Sequence, residues 1–100
     1  MYQDYYPEVV QAIPGNGRTI YVYFSDGRIV SYDVSSLVKN GSVFAPLQDD
    51  DFFRSRLTVL NHTAAWDISG CFDPRTCIDI DPFELYENGV QIADPLEAVP

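Results

Sequence analysis

Arg18-Thr-Ile-Tyr-Val-Tyr-Phe-Ser-Asp-Gly-Arg-Ile-Val-Ser-Tyr-Asp33 decides the fold. Two alternating runs rich in Ile, Val, Tyr and Phe flank an Asp-Gly turn, the pattern of a β-hairpin. A two-residue loop at Asp26-Gly27 would pair Phe24 with Ile29 and set Ser31 and Asp33 on the apolar face. A three-residue loop, Ser25-Asp26-Gly27, instead pairs Phe24 with Arg28, Val22 with Val30 and Ile20 with Tyr32. Because the side-chain period is two, the face to be buried selects the second register. Gly27 then closes a type I turn in the left-handed region, where a residue without Cβ meets no steric penalty. The same register turns Tyr21 and Tyr23 to the opposite face. Amphipathic rings there suit a binding surface, and equally suit cover by another strand or helix.

Outward from this hairpin, residues 1–7 form a Tyr-rich lead, and Glu8–Ile13 reads as a first strand ended by the turn Pro14-Gly-Asn-Gly17. On the other side, Ser35–Gly41 carries a capping serine, a late lysine and a terminal Asn-Gly, which predicts one short helical turn. Gly41–Pro46 is an apolar connector expected to be extended. Asp49 or Asp50 caps a second short helix through Phe52, Phe53 and Arg54. Leu57–Ile68 is a second hairpin: a loop at Asn61-His62 pairs Val59 with Ala64 and Leu57 with Trp66. A type I′ turn there needs positive φ at both loop residues, which Asn accepts more readily than His. In the last helix Asp81 fits the N-cap, Pro82 the first turn and Glu84 a capping-box partner. Ile80 and Leu85 fit a hydrophobic staple, and Asn88-Gly89 the stop. Residues 8–89 thus make one domain, and 90–100, with two prolines and little periodicity, read as a tail.

One hundred residues, 46% of them hydrophobic and 14% aromatic, suit a single core. Six basic against fifteen acidic residues give a net charge of −9. That charge repels phosphate backbones and anionic membranes, which argues against direct nucleic-acid or membrane binding and favours a basic partner. The N-terminus lacks the basic start and apolar run of a secretory signal, so the expectation is a cytoplasmic protein. In that compartment Cys71 and Cys77 are expected as free thiols.

The order of phrases Tyr23-Phe-Ser-Asp-Gly-Arg28, Tyr32-Asp-Val34, Val43-Phe-Ala-Pro-Leu47, Asp51-Phe-Phe53, Ala65-Trp-Asp67, Ile78-Asp-Ile-Asp-Pro82 and Leu85-Tyr86 resembles the bacterial domain of unknown function 2442 family. The likeness covers about residues 8 to 87. It implies a small α+β domain with an antiparallel sheet, in proteins that stand alone or precede a helix-turn-helix domain and are often encoded beside another short protein. An accessory or antitoxin-like role follows from that resemblance, with no catalytic residue to carry over. This chain departs from the pattern at His62, where glycine is common, and in the insertion Gly70-Cys-Phe-Asp-Pro-Arg-Thr-Cys77.

Chemistry-bearing residues are sparse. Cys71, Cys77 and His62 would need a fourth zinc ligand, and the spacing of the two cysteines is not that of a short ligand pair. Asp79 and Asp81 open like a calcium loop, but Glu84 and Val90 stand where it needs glycine and glutamate. Asp49-Asp50-Asp51 suits a helix start better than a cation. No metal or cofactor is therefore expected. The reading is an α+β fold, an antiparallel sheet of four or five strands with two or three short helices on one face. The function expected is a non-catalytic interaction module binding a protein partner or itself, with Tyr21 and Tyr23 as the candidate surface. Asp26, Gly27, Asp81, Pro82 and Glu84 serve structure. A small metal-dependent or thiol-dependent enzyme is the alternative.

Overall fold

A computed structural model describes residues 7–38, 43–68, 70, 73 and 75–95. In chain order its elements are β1 (Val9–Pro14), β2 (Thr19–Phe24), β3 (Ile29–Asp33), two 3-10 turns (Ser35–Leu37 and Ala45–Gln48), α1 (Asp50–Ser55), β4 (Leu57–Leu60), β5 (Thr63–Trp66), β6 (Ile78–Asp79), α2 (Pro82–Asn88) and β7 (Val90–Gln91). The fold is α+β with antiparallel pairing throughout the described strands.

The first hairpin takes the register with the three-residue loop. Ile20 faces Tyr32 and Val22 faces Val30, Phe24 N donates to Arg28 O at 2.9 Å, and Gly27 has φ 95°. Asp26 Oδ1 accepts from Arg28 N at 2.9 Å, an Asx turn that fixes the loop from within. Beside it β1 pairs with β2, and the chain beyond α2 adds a fourth strand: Val30 faces Gln91 and Ser31 faces Val90. Residues from Val90, expected as a tail, thus begin with a sheet strand, and Tyr23 Oη donates to Asp94 Oδ1 at 2.7 Å farther along.

The second hairpin also keeps its expected pairs, Val59 with Ala64 and Leu57 with Trp66. It does not join the first. Strands β4, β5 and β6 form a separate three-stranded sheet, so the single sheet of four or five strands is replaced by sheets of four and three. Each hairpin completes its own ladder, and between them the chain is diverted through the 3-10 turn at Ala45–Gln48 and α1. A backbone bond from Val9 N to His62 O, 2.9 Å, ties the edge of one sheet to the tip of the other.

The connector expected to be extended coils instead at Ala45–Gln48, with Pro46 in its first turn and Leu47 buried. Arg18 holds this turn. Its Nε donates to Leu47 O and its Nη2 to Gln48 O, both at 2.7 Å, while Nη1 reaches Asp50 Oδ1 at 3.0 Å. The guanidinium lies 5.1 Å from the Phe53 ring centroid. Asp49 caps α1 by accepting from Asp51 N and Phe52 N. At the earlier 3-10 turn the capping group is Asp33, whose carboxylate accepts from Ser35 N at 2.9 Å, rather than a serine hydroxyl. Residues 39–41 of that expected turn lie outside the described residues.

One core serves both sheets. Ile20, Val22, Val30 and Val34 meet Trp66 and Ala64 together with Leu47, Phe53 and Leu85 from the helical segments. The buried indole of Trp66 donates to Phe53 O at 3.0 Å, as a fully buried N–H requires.

Candidate functional site

Two departures from regular geometry and one exposed aromatic side chain converge beside the contact between the sheets. In β1, Val9 faces Phe24 and Gln11 faces Tyr23, so Val10 is an extra residue in a β-bulge, and its side chain is 57% exposed. At the β4–β5 turn, Asn61 (φ 55°) and His62 (φ 63°) are the two non-glycine residues with positive φ among the described residues. At the start of α2, Phe83 stands 38% exposed after Pro82. Bulges and strained backbone gather at working surfaces more often than elsewhere.

Together they shape a notch. Its centre is His62, whose Nδ1 lies 3.1 Å from Glu8 Oε2, both side chains open to solvent. On one side Pro7, Glu8, His62, Pro82 and Phe83 line an open hollow of about 370 Å³. On the other, Val9, Val10, Val59 and Leu60 line a second open hollow with Glu8, Asn61 and His62. Asn61 supports the tip from behind: its Nδ2 donates to Asp79 Oδ2 at 3.1 Å and lies 3.6 Å from Cys77 Sγ. Thr63 Oγ1 donates to Ile80 O, which docks the hairpin against the segment leading into α2.

Burial, then the charge of Asp79, pushes the Cys77 thiol up from its ordinary value, the opposite of what a nucleophilic thiolate needs. The Thr63 hydroxyl is buried with its proton engaged. Among the described residues no three His, Cys, Asp or Glu side chains group as metal ligands, and Cys71 lies outside those residues.

The residues singled out from sequence distribute differently. Tyr23, proposed to face outward, is 9% exposed and hydrogen-bonded to Asp94, because the segment after β7 crosses the outer side of the sheet. Tyr21 is half-buried, and its ring lies 2.9 Å from where a Cβ on Gly15 would stand. Asp26 serves the turn through Oδ1 and accepts from Tyr86 Oη at 2.8 Å through Oδ2. Asp81 caps α2 by accepting from Phe83 N at 2.9 Å, with Pro82 in the first turn. Glu84 is turned away from the expected capping box: Oε2 accepts from Tyr32 Oη at 2.7 Å and Oε1 from Asn88 Nδ2 at 2.9 Å. Burial, then the bond to Glu84 and its charge, pushes the Tyr32 phenol up to about 12. Asp49 and Asp50 serve the α1 cap and the Arg18 ion pair.

The notch itself is drawn from three distant stretches of chain, and its sequence signal was the Asn-His pair standing where a type I′ turn favours Asn-Gly. The model for "Protein of unknown function (DUF2442)" matches residues 9–91. The chain belongs to the DUF2442 family. No curated protein and no solved structure matches it. The DUF2442 match runs from the first residue of β1 to the last of β7, so it takes in both sheets and both helices. It includes His62 and Phe83 of the notch and stops one residue short of Glu8. No helix among the described residues is long and apolar enough to cross a membrane.

Proposed function

We propose that this DUF2442 protein is a non-catalytic interaction module that binds a protein partner through the notch at His62. The observation that carries the reading is the convergence there of a bulge, a strained turn and exposed Val10 and Phe83 around two open hollows, the one beside Phe83 largely apolar. Apolar side chains presented on irregular, well-anchored backbone suit docking, because little ordering is left to do on binding. An accessory or antitoxin-like role in the cytoplasm fits a protein that works by contact. The thiol-dependent alternative has weaker support, since the Cys77 environment favours the protonated thiol.

The test is site-specific photo-crosslinking in the native host, with the crosslinker at position 83 or 10 and a control at exposed Ser36. One partner, captured from 83 and 10 but not 36 and then reconstituted from purified components, is the expected result. Equal labelling from all three positions, or none from 83 and 10, defeats the proposal. Sedimentation of the purified chain separates self-association from binding to a different protein.

A further inference from the structure

Resting on that docking reading, we infer that the notch takes a basic peptide segment: lysine or arginine flanking a bulky apolar side chain that seats against Phe83 and Pro82. Pro7, Pro82 and Phe83 give an apolar floor on one side of His62, and on the other Val9, Val10, Val59 and Leu60 stand among the polar groups of Glu8 and Asn61. Acidic side chains border the notch: Glu8 lines both hollows, Asp79 is exposed and bonded to Asn61 of the second, and Asp81 is exposed and precedes Pro82 of the first. No lysine or arginine lines either hollow among the described residues.

The described arginines make their contacts elsewhere, Arg18 to Asp50 and Arg75 to Asp73 among them. Arg54 donates to Gly15 O, Arg56 to Asp67 O, and Arg28 stacks 4.7 Å from the Tyr86 ring centroid. Each rim carboxylate has acceptor positions beyond the bond it already makes, so ammonium or guanidinium donors can be added without breaking the caps. A lysine or arginine stem can also lie along the exposed Phe83 ring with its charge at the rim. A second copy fits poorly, because a symmetric contact would bring Glu8, Asp79 and Asp81 against their own equivalents in a chain already at −9.

Three synthetic peptides of equal length test this against the 15N-labelled protein: alternating Leu-Lys, alternating Leu-Glu and alternating Ser-Lys. Leu-Lys is expected to shift the amides of Glu8, Val10, His62 and Phe83, with Ser-Lys binding at least about tenfold more weakly and Leu-Glu not at all. Phe83→Ser should weaken Leu-Lys about tenfold while leaving the rest of the amide spectrum in place. Glu8→Gln with Asp79→Asn should flatten the salt dependence of Leu-Lys binding. Equal binding of Leu-Glu at the same amides overturns the basic class while the docking reading stands. Leu-Lys shifts scattered away from the notch, insensitivity to Phe83→Ser, or no shift at millimolar peptide overturns the inference. Shifts at the notch that depend on protein concentration without peptide assign it to a second copy instead, and also overturn it.

Discussion

His62 holds φ at 63° in a turn where glycine would sit without strain, and its ring contributes only a solvent-exposed contact to Glu8. A left-handed non-glycine residue costs on the order of 1 kcal/mol or more, whereas a solvent-exposed polar contact contributes little. His62→Gly is therefore expected to stabilise the protein by up to about 1 kcal/mol in urea denaturation while impairing notch binding. An unchanged or lowered midpoint would show that the ring does more for folding than its contacts indicate. Tyr32 presents the opposite case, a phenol that the fold does hold. Its folded pKa near 12 exceeds the ordinary 10.0, so the unfolded chain loses the phenol proton first as pH rises. The resulting stability is complete below pH 10 and falls away between about pH 10 and 12. Tyr32→Phe loses the bond to Glu84, at about 1 kcal/mol near neutrality, and should remove that part of the alkaline slope in pH-dependent denaturation. A slope identical to that of the parent protein would refute the assignment to Tyr32.

Elements with enough residues to show a period were legible in the sequence: both long hairpins, their registers, the α2 cap at Asp81, and the α1 cap to within the choice of Asp49 or Asp50, which the structure gives to Asp49. Elements of two residues were not. Strands β6 and β7 are too short for alternation to appear, and they exist because neighbouring strands offer unpaired edges. Whether Tyr23 is exposed or covered was open in the sequence for the same reason, since only after β7 pairs with β3 does Asp94 reach the phenol. The notch was half legible: strain at His62 could be read from the turn, but its union with Phe83 and Glu8 is tertiary. Gly89 shows how tightly α2 and β7 are joined. Its backbone is extended rather than left-handed, yet a Cβ would stand 2.6 Å from Leu85 O and 2.7 Å from Val30 Cγ2. Gly89→Ala must push α2 off β3, and a loss of about 1–3 kcal/mol is expected by chemical denaturation. The amides of Val90 and Gln91 should exchange faster in that variant, and unaltered exchange would mean the junction has room to adjust.

At the level of the whole molecule, two sheets share one set of buried side chains. Trp66 of the second sheet and Ile20, Val22 and Val30 of the first belong to a single cluster, completed by Phe53, Leu47 and Leu85. Neither sheet can leave without exposing the other's apolar face, and a three-stranded sheet with a two-residue edge strand has little independent stability. The expectation is one cooperative transition, with Trp66 fluorescence and the methyl signals of Val22 and Val30 giving the same urea midpoint. The backbone bond between Val9 N and His62 O is too little to couple the sheets by itself, since a single hydrogen bond contributes about 1 kcal/mol net. If the midpoints separate, the cluster is not the unit that holds the sheets together, and the notch would then sit on a joint that opens before the rest unfolds. If they coincide, the shared core gives Glu8, His62 and Phe83, drawn from three separate stretches of chain, a common rigid frame, and the spacing of the notch is set by folding itself.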